Sequence, residues 1–117
     1  ALAARLAGVD WSPARTTELL DLVGLADRSG HLPRRLSGGE AQRVALAVAL
    51  VGEPDLLLAD EAVGQLDTKT AGVVLGTFAR ACRERDLAVL LVTHSPEIAA
   101  LGDRVVHLVD GHLTEAA

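Results

Sequence analysis

Four groups of residues in this chain have types and spacing that can do chemistry. Ser37-Gly38-Gly39-Glu40 opens an apolar-periodic stretch. Its Ser-x-x-Glu spacing is that of a capping box, in which each side chain satisfies a free N–H at a helix start. The spacing alone leaves two adjacent glycines unexplained, each costing a helix up to ~1 kcal/mol relative to alanine. Bare backbone at a helix N-terminus also suits close approach of an anion, which the helix dipole favours. Both readings of this turn stand at the level of spacing. Asp60-Glu61 follows the apolar run Leu56-Leu57-Leu58-Ala59. A carboxylate at the end of a buried strand is either a solvated acid or a ligand for Mg²⁺, usually through water. A second carboxylate beside it can take a proton from an attacking water or orient it. Asp67 closes a short loop after this pair, and His94 follows a second apolar run, 87–92. An imidazole at such a strand end can donate to a terminal phosphate, although most lone histidines are structural or merely exposed.

These groups need an α/β scaffold. Residues 1–7 read as a short helix stopped by Gly8. Ser12-Pro13 starts another, with serine as N-cap, proline at the first position, an apolar face of Leu19, Leu20 and Val23, and Gly24 as the stop. Residues 25–35 read as a helical turn and a loop, in which His31 has no spaced partner for metal ligation. The glycine pair opens a helix over 38–51, ended by Gly52 and Pro54. Leu56-Leu57-Leu58-Ala59 lacks alternation, which predicts a strand buried on both faces of a parallel sheet. A helix after Asp67-Thr68 carries Val74, Phe78, Ala81 and Cys82 on one face, and its first turn holds Lys69, the sole lysine. The strand at 87–92, a short helix capped by Ser95-Pro96 and stopped at Gly102, a strand over 105–109 and an Asp110-Gly111 hairpin complete the order. His107 and His112 fall on the last strands and receive no chemistry.

Composition narrows the class. The chain has 117 residues, which is about one domain by length. Trp11 and Phe78 are its only aromatics, so leucine, valine and alanine must build the core. A net charge of −5 argues against a nucleic-acid partner held by a basic field. One cysteine, Cys82, excludes an internal disulfide and a multi-cysteine zinc site and fits a reducing compartment. No apolar run approaches the roughly 20 residues a membrane helix needs, and no signal peptide is expected because Arg5 interrupts the first apolar stretch.

The conjunction of motifs resembles the ATP-binding cassette (ABC) ATPases, and its wording is similar to the lipoprotein-release and macrolide-export type of bacterial exporter. LSGGEAQR, from Leu36 to Arg43, resembles the family's signature motif. LLLADE resembles Walker B, Gly64-Gln65-Leu66-Asp67 the D-loop, and Thr93-His94 the switch histidine. The ending from Gly102 to Leu113 is also similar. The fold implied is the C-terminal part of an α/β P-loop NTPase (RecA-like) domain with part of its helical subdomain. Residues 1–52 would belong to the helical signature subdomain and 53–117 to the ATPase core. The resemblance implies ATP and Mg²⁺ as cofactors, Asp60 as the metal-site carboxylate, Glu61 as general base or water-orienting group, and His94 as a γ-phosphate contact. It implies that Ser37, Gly38, Gly39, Glu40 and Gln42 face ATP held by a second subunit, with Asp67 at that interface. The implied partners are a second ABC subunit, head to tail, and a transmembrane permease, with peripheral attachment to the inner face of the cell membrane. A soluble ABC ATPase of translation or DNA repair, or a non-catalytic remnant, is the alternative.

The chain departs from the family pattern in four ways. G-x-x-x-x-G-K-[ST], the phosphate-cradling loop, does not occur in it. This, with the absence of a glutamine loop, implies the C-terminal part of a longer domain, inactive alone and prone to self-association through an unpaired strand edge. Ala62-Val63 stands in place of the usual Pro-Thr, and Val48 stands where the signature helix carries arginine, so less efficient turnover is expected.

Overall fold

The structure, a computed structural model, describes Gly8 and residues 12–28 and 36–115. The helix expected at 1–7 and the histidine at 31 lie outside the described residues. In order, the elements are α1 (Pro13–Leu22), a 3₁₀ turn (Ala26–Arg28), α2 (Gly38–Leu50), β1 (Leu56–Asp60), α3 (Thr68–Arg85), β2 (Ala88–Val92), α4 (Pro96–Ala99), β3 (Val106–Val109) and β4 (His112–Glu115).

Local chemistry sets most of the helix ends. Ser12 Oγ accepts from Arg15 N at 3.1 Å, and Pro13 occupies the first turn of α1, where its missing N–H costs nothing. Gly24 takes a left-handed φ of 72°, and Leu25 N returns to Leu20 O at 2.7 Å. The stop after α2 differs from expectation. Glu53, not Gly52, takes the left-handed conformation at φ 51°, with its N–H on Leu50 O at 3.0 Å. Its side chain supplies a reason, since Glu53 Oε1 accepts from Arg15 Nη2 at 2.7 Å and so ties the turn to α1. α3 ends in the same way on Asp86, at φ 50°.

One apolar cluster joins the helices to the sheet. Leu19 and Leu22 of α1 meet Leu46 and Leu50 of α2, and Leu57, Ala81 and Leu87 close the cluster from β1, α3 and the approach to β2. A fully buried leucine contributes about 1.5–3 kcal/mol. Leu19 and Val23 are buried and Leu20 packs partly buried against the cluster, as expected; Leu22 joins them as a further core residue. An exposed ion network runs along the same junction. Glu18 bonds Arg15 at 3.1 Å and Arg85 at 2.6 Å, joining α1 to the end of α3.

β1 and β2 pair in parallel, from Leu56↔Ala88 to Asp60↔Val92. The expectation that both strands are buried on both faces is corrected. Leu57 is 8 % exposed, whereas Leu58 is 68 % and Leu90 53 % exposed. The described helices cover only the Leu57 face, so the continuous apolar run acquires one open side. The last two strands do not join this pair. β3 pairs with β4 in a separate antiparallel hairpin, from Val106↔Glu115 to Val109↔His112. Its turn has φ 48° at Asp110 and 80° at Gly111, the two positive values that a two-residue hairpin of this type demands. The hairpin residues, His107 and His112 included, are exposed.

Candidate active site

The end of β1 is built by its pairing to β2. Asp60 lies opposite Val92, and Glu61 N extends the ladder by donating to Val92 O at 2.9 Å. The backbone then turns at Glu61 with φ 49°. A non-glycine residue held there costs about 1–2 kcal/mol, and such strain persists where surrounding contacts hold it. One contact of that kind is visible. Glu61 Oε1 accepts from His94 N at 2.9 Å. The same oxygen lies 3.7 Å from His94 Nε2, and the imidazole itself is 95 % exposed.

His94 owes its place to the start of α4. Thr93 Oγ1 accepts from Ser95 N at 3.1 Å, and Ser95 Oγ caps α4 on Ile98 N at 3.3 Å. Ser95 Oγ also donates to Glu97 at 2.7 Å, and that bond holds the Glu97 carboxyl below its ordinary range. Asp60, Glu61 and His94 therefore share the C-terminal edge of the parallel pair, where ligands of open α/β sheets bind. Gly64 N turns back to Glu61 O at 3.1 Å, and a Cβ at Gly64 would stand 2.7 Å from Glu61 Oε2.

A second group forms where α2 and α3 begin. The capping box is complete. Ser37 Oγ accepts from Glu40 N at 3.1 Å, and Ser37 N donates to Glu40 Oε1 at 3.3 Å. Asp67 caps α3, accepting from Thr70 N at 3.0 Å and from Thr70 Oγ1 at 2.6 Å. The Thr70 hydroxyl, and next its N–H, hold the Asp67 carboxyl below the ordinary carboxylate value. Packing supplies a further reason for the glycines. Gly39 is buried, and a Cβ on it would stand 2.4 Å from Thr70 Cγ2; one on Gly38 would stand 3.1 Å from Leu66 Cδ2. Ser37, Gly39, Glu40, Arg43, Lys69 and Thr70 line part of an open groove of about 510 Å³ at this junction. Gln42 is half-buried on α2.

Sequence reasoning did not single out Gly64 or Thr70. Gly64 sits inside the loop read as a unit, and only the fold turns it toward the Glu61 carboxylate. Thr70 had a local signal, its three-residue spacing from Asp67, which is that of an N-cap bond.

Among the described residues no group of three His, Cys, Asp or Glu side chains could hold a metal ion. An all-protein cage is thus lacking, but a lone strand-end carboxylate suits Mg²⁺. That ion keeps several waters and takes its other ligands from substrate phosphates. Asp60, exposed at the end of β1, fits this demand.

The model of the ABC transporter family matches residues 4–64, more than half of the chain. The chain belongs to the ABC transporter family. Among its relatives is the lipoprotein-releasing system ATP-binding protein LolD 2 of Caulobacter vibrioides, 50 % identical over 86 % of this chain and 44 % of that protein. The macrolide export ATP-binding/permease protein MacB of Rhodopirellula baltica is 48 % identical over 85 % of this chain and 14 % of its own length. A solved dimeric bacterial ABC transporter cassette superimposes with a TM-score of 0.71 at 34 % identity, covering 91 % of this chain and 49 % of that one. The chain spans less than half the length of the LolD relatives it matches. Its fold is accordingly part of a P-loop NTPase domain of the ABC type.

Proposed function

We propose that this segment supplies the signature, Walker B, D-loop and switch-histidine part of the ATP-hydrolysing subunit of an ABC transporter. The observation that carries the reading is the meeting of Glu61 and His94 at the strand ends, with the 2.9 Å bond from His94 N to Glu61 Oε1. Glu61 would orient or deprotonate the attacking water, and His94 would hold the γ-phosphate end of the substrate through its exposed imidazole. Asp60 would take the water shell of Mg²⁺, which supplies charge neutralisation at the phosphates when bound. Ser37, Gly38, Gly39, Glu40 and Gln42 would face the nucleotide of a second subunit in a head-to-tail dimer, with Asp67 at the interface. Residues 1–52 would form part of the helical subdomain and 53–117 part of the ATPase core.

The MacB relative is named an ATP-binding/permease protein, which supports a permease partner and hence attachment at the inner face of the membrane. Among the described residues no helix is long and apolar enough to cross a membrane. The test uses an intact cassette, this segment joined to a Walker A half. Glu61→Gln is expected to lower its ATP turnover by about a hundredfold or more while leaving nucleotide binding intact. Full turnover by that variant would overturn the assignment. The 117-residue chain alone is expected to release phosphate from ATP at the background rate.

A further inference from the structure

Asp67 and the Ser37–Gly39 turn both belong, on the reading above, to the half-site offered to the other subunit. Nothing in the sequence says whether they move together. The structure joins them through one side chain. Thr70 Oγ1 donates to Asp67 Oδ2 at 2.6 Å while Thr70 N donates to Asp67 Oδ1 at 3.0 Å, so both carboxylate oxygens are held. An N-cap needs only the backbone bond. The hydroxyl bond is additional, and it fixes the Thr70 rotamer. In a β-branched residue the hydroxyl and the methyl share one χ1 angle, so fixing one places the other. The methyl placed in this way is Cγ2, the atom that a Cβ on Gly39 would approach to 2.4 Å. Leu66 Cδ2 likewise stands close to Gly38, 3.1 Å from where a Cβ there would be.

We propose that Thr70 is a positioning residue that locks the D-loop carboxylate of Asp67 to the signature turn at Gly39, so that both parts of the trans half-site move as one body. The proposal rests on the ATPase reading for its consequence and on the Thr70 contacts alone for its geometry. A carboxylate displaced at the subunit interface would carry the signature turn with it. The lock also explains why glycine stands at position 39 independently of any ligand: the β-branched methyl has no flexible end that could move aside.

Two substitutions separate the two halves of the lock. Thr70→Val keeps the branched shape and removes the hydroxyl. Thr70→Ser keeps the hydroxyl and removes the methyl, which makes room for a Cβ at position 39. In the intact cassette, Gly39→Ala is expected to lower the melting temperature by several degrees and ATP turnover by about tenfold or more, and Gly39→Ala with Thr70→Ser to recover most of both. Thr70→Val is expected to lower kcat by about tenfold with the KM for ATP and the melting temperature little changed. A double variant that melts no higher than Gly39→Ala alone overturns the contact, whatever its turnover. Recovery of melting without recovery of turnover, or a Thr70→Val enzyme with wild-type kcat, overturns the lock while leaving the ATPase reading standing. A wild-type cassette whose turnover survives Glu61→Gln instead removes the ATPase reading, and the melting comparison still decides the contact.

Discussion

Glu61 sits in a left-handed backbone conformation with its carboxylate on the His94 N–H, so its rotamer is set by a residue 33 positions away. Gly64 leaves the space that this rotamer needs. Gly64→Ala would bring a Cβ to 2.7 Å from Glu61 Oε2, and the carboxylate, being the movable end, would give way. In the intact cassette we expect kcat to fall by about tenfold or more with unchanged nucleotide affinity, measured by steady-state turnover beside equilibrium binding. Unaltered kcat would show that the carboxylate finds an equivalent position. Cys82 stands apart from this chemistry. Burial pushes its thiol up and keeps it protonated near neutral pH. Iodoacetamide should therefore label Cys82 many times more slowly in the folded protein than in denaturant, read by mass spectrometry.

The helices owe their ends to caps and their positions to the shared cluster. Leu46 of α2 is buried in the shared cluster, at 2 % exposure. Leu46→Ala should destabilise an intact cassette by about 2–5 kcal/mol, measured by denaturant unfolding. The N-cap of α3 is a different case because it titrates. The Thr70 hydroxyl, and next its N–H, hold the folded-state Asp67 carboxyl below its ordinary, unfolded value. The cap therefore contributes fully above the unfolded pKa and is lost as pH falls through the lowered value. Acid melts should show a wild-type advantage over Asp67→Ala at pH 6 that shrinks as pH falls below about 4, the ordinary range of an unfolded Asp, and an advantage independent of pH would assign the effect to packing. The caps on Ser12, Ser37 and Ser95 were legible in the sequence, since each is a contact across three residues; the Asp67 cap has the same spacing but was not read. The end of α2 was legible to within a residue, but the left-handed turn at Glu53 was not, because a distant arginine helps to hold it.

Over the whole chain, the main imbalance is the sheet. One face carries Leu57 and Ala59 into the core, and the other shows Leu56, Leu58, Leu90 and Val92 at the surface. Exposed apolar faces and open strand edges drive association. The isolated chain should self-associate at micromolar concentration, and Leu58→Lys with Leu90→Lys should shift it toward monomer in sedimentation velocity. In the intact cassette we expect the same pair to lower stability instead, because the additional half of the domain would cover this face. A clean wild-type monomer with a sharp two-state melt would count against both expectations.

The sequence by itself determined the local elements and the order of the motifs. Caps, stops and the Asp110-Gly111 turn act within three or four residues, so residue type and spacing are enough to read them. The same locality made the groups at Ser37, Asp60, Asp67 and His94 visible as candidates. Tertiary structure alone decided which of them meet. It brought Glu61 to His94 by pairing two strands separated by α3, and it brought Gly39 to Thr70 by packing α2 on α3. It also decided that an unalternating apolar run has an open face. An apolar side chain records only that it prefers to leave water; the element that covers it is set by the rest of the fold.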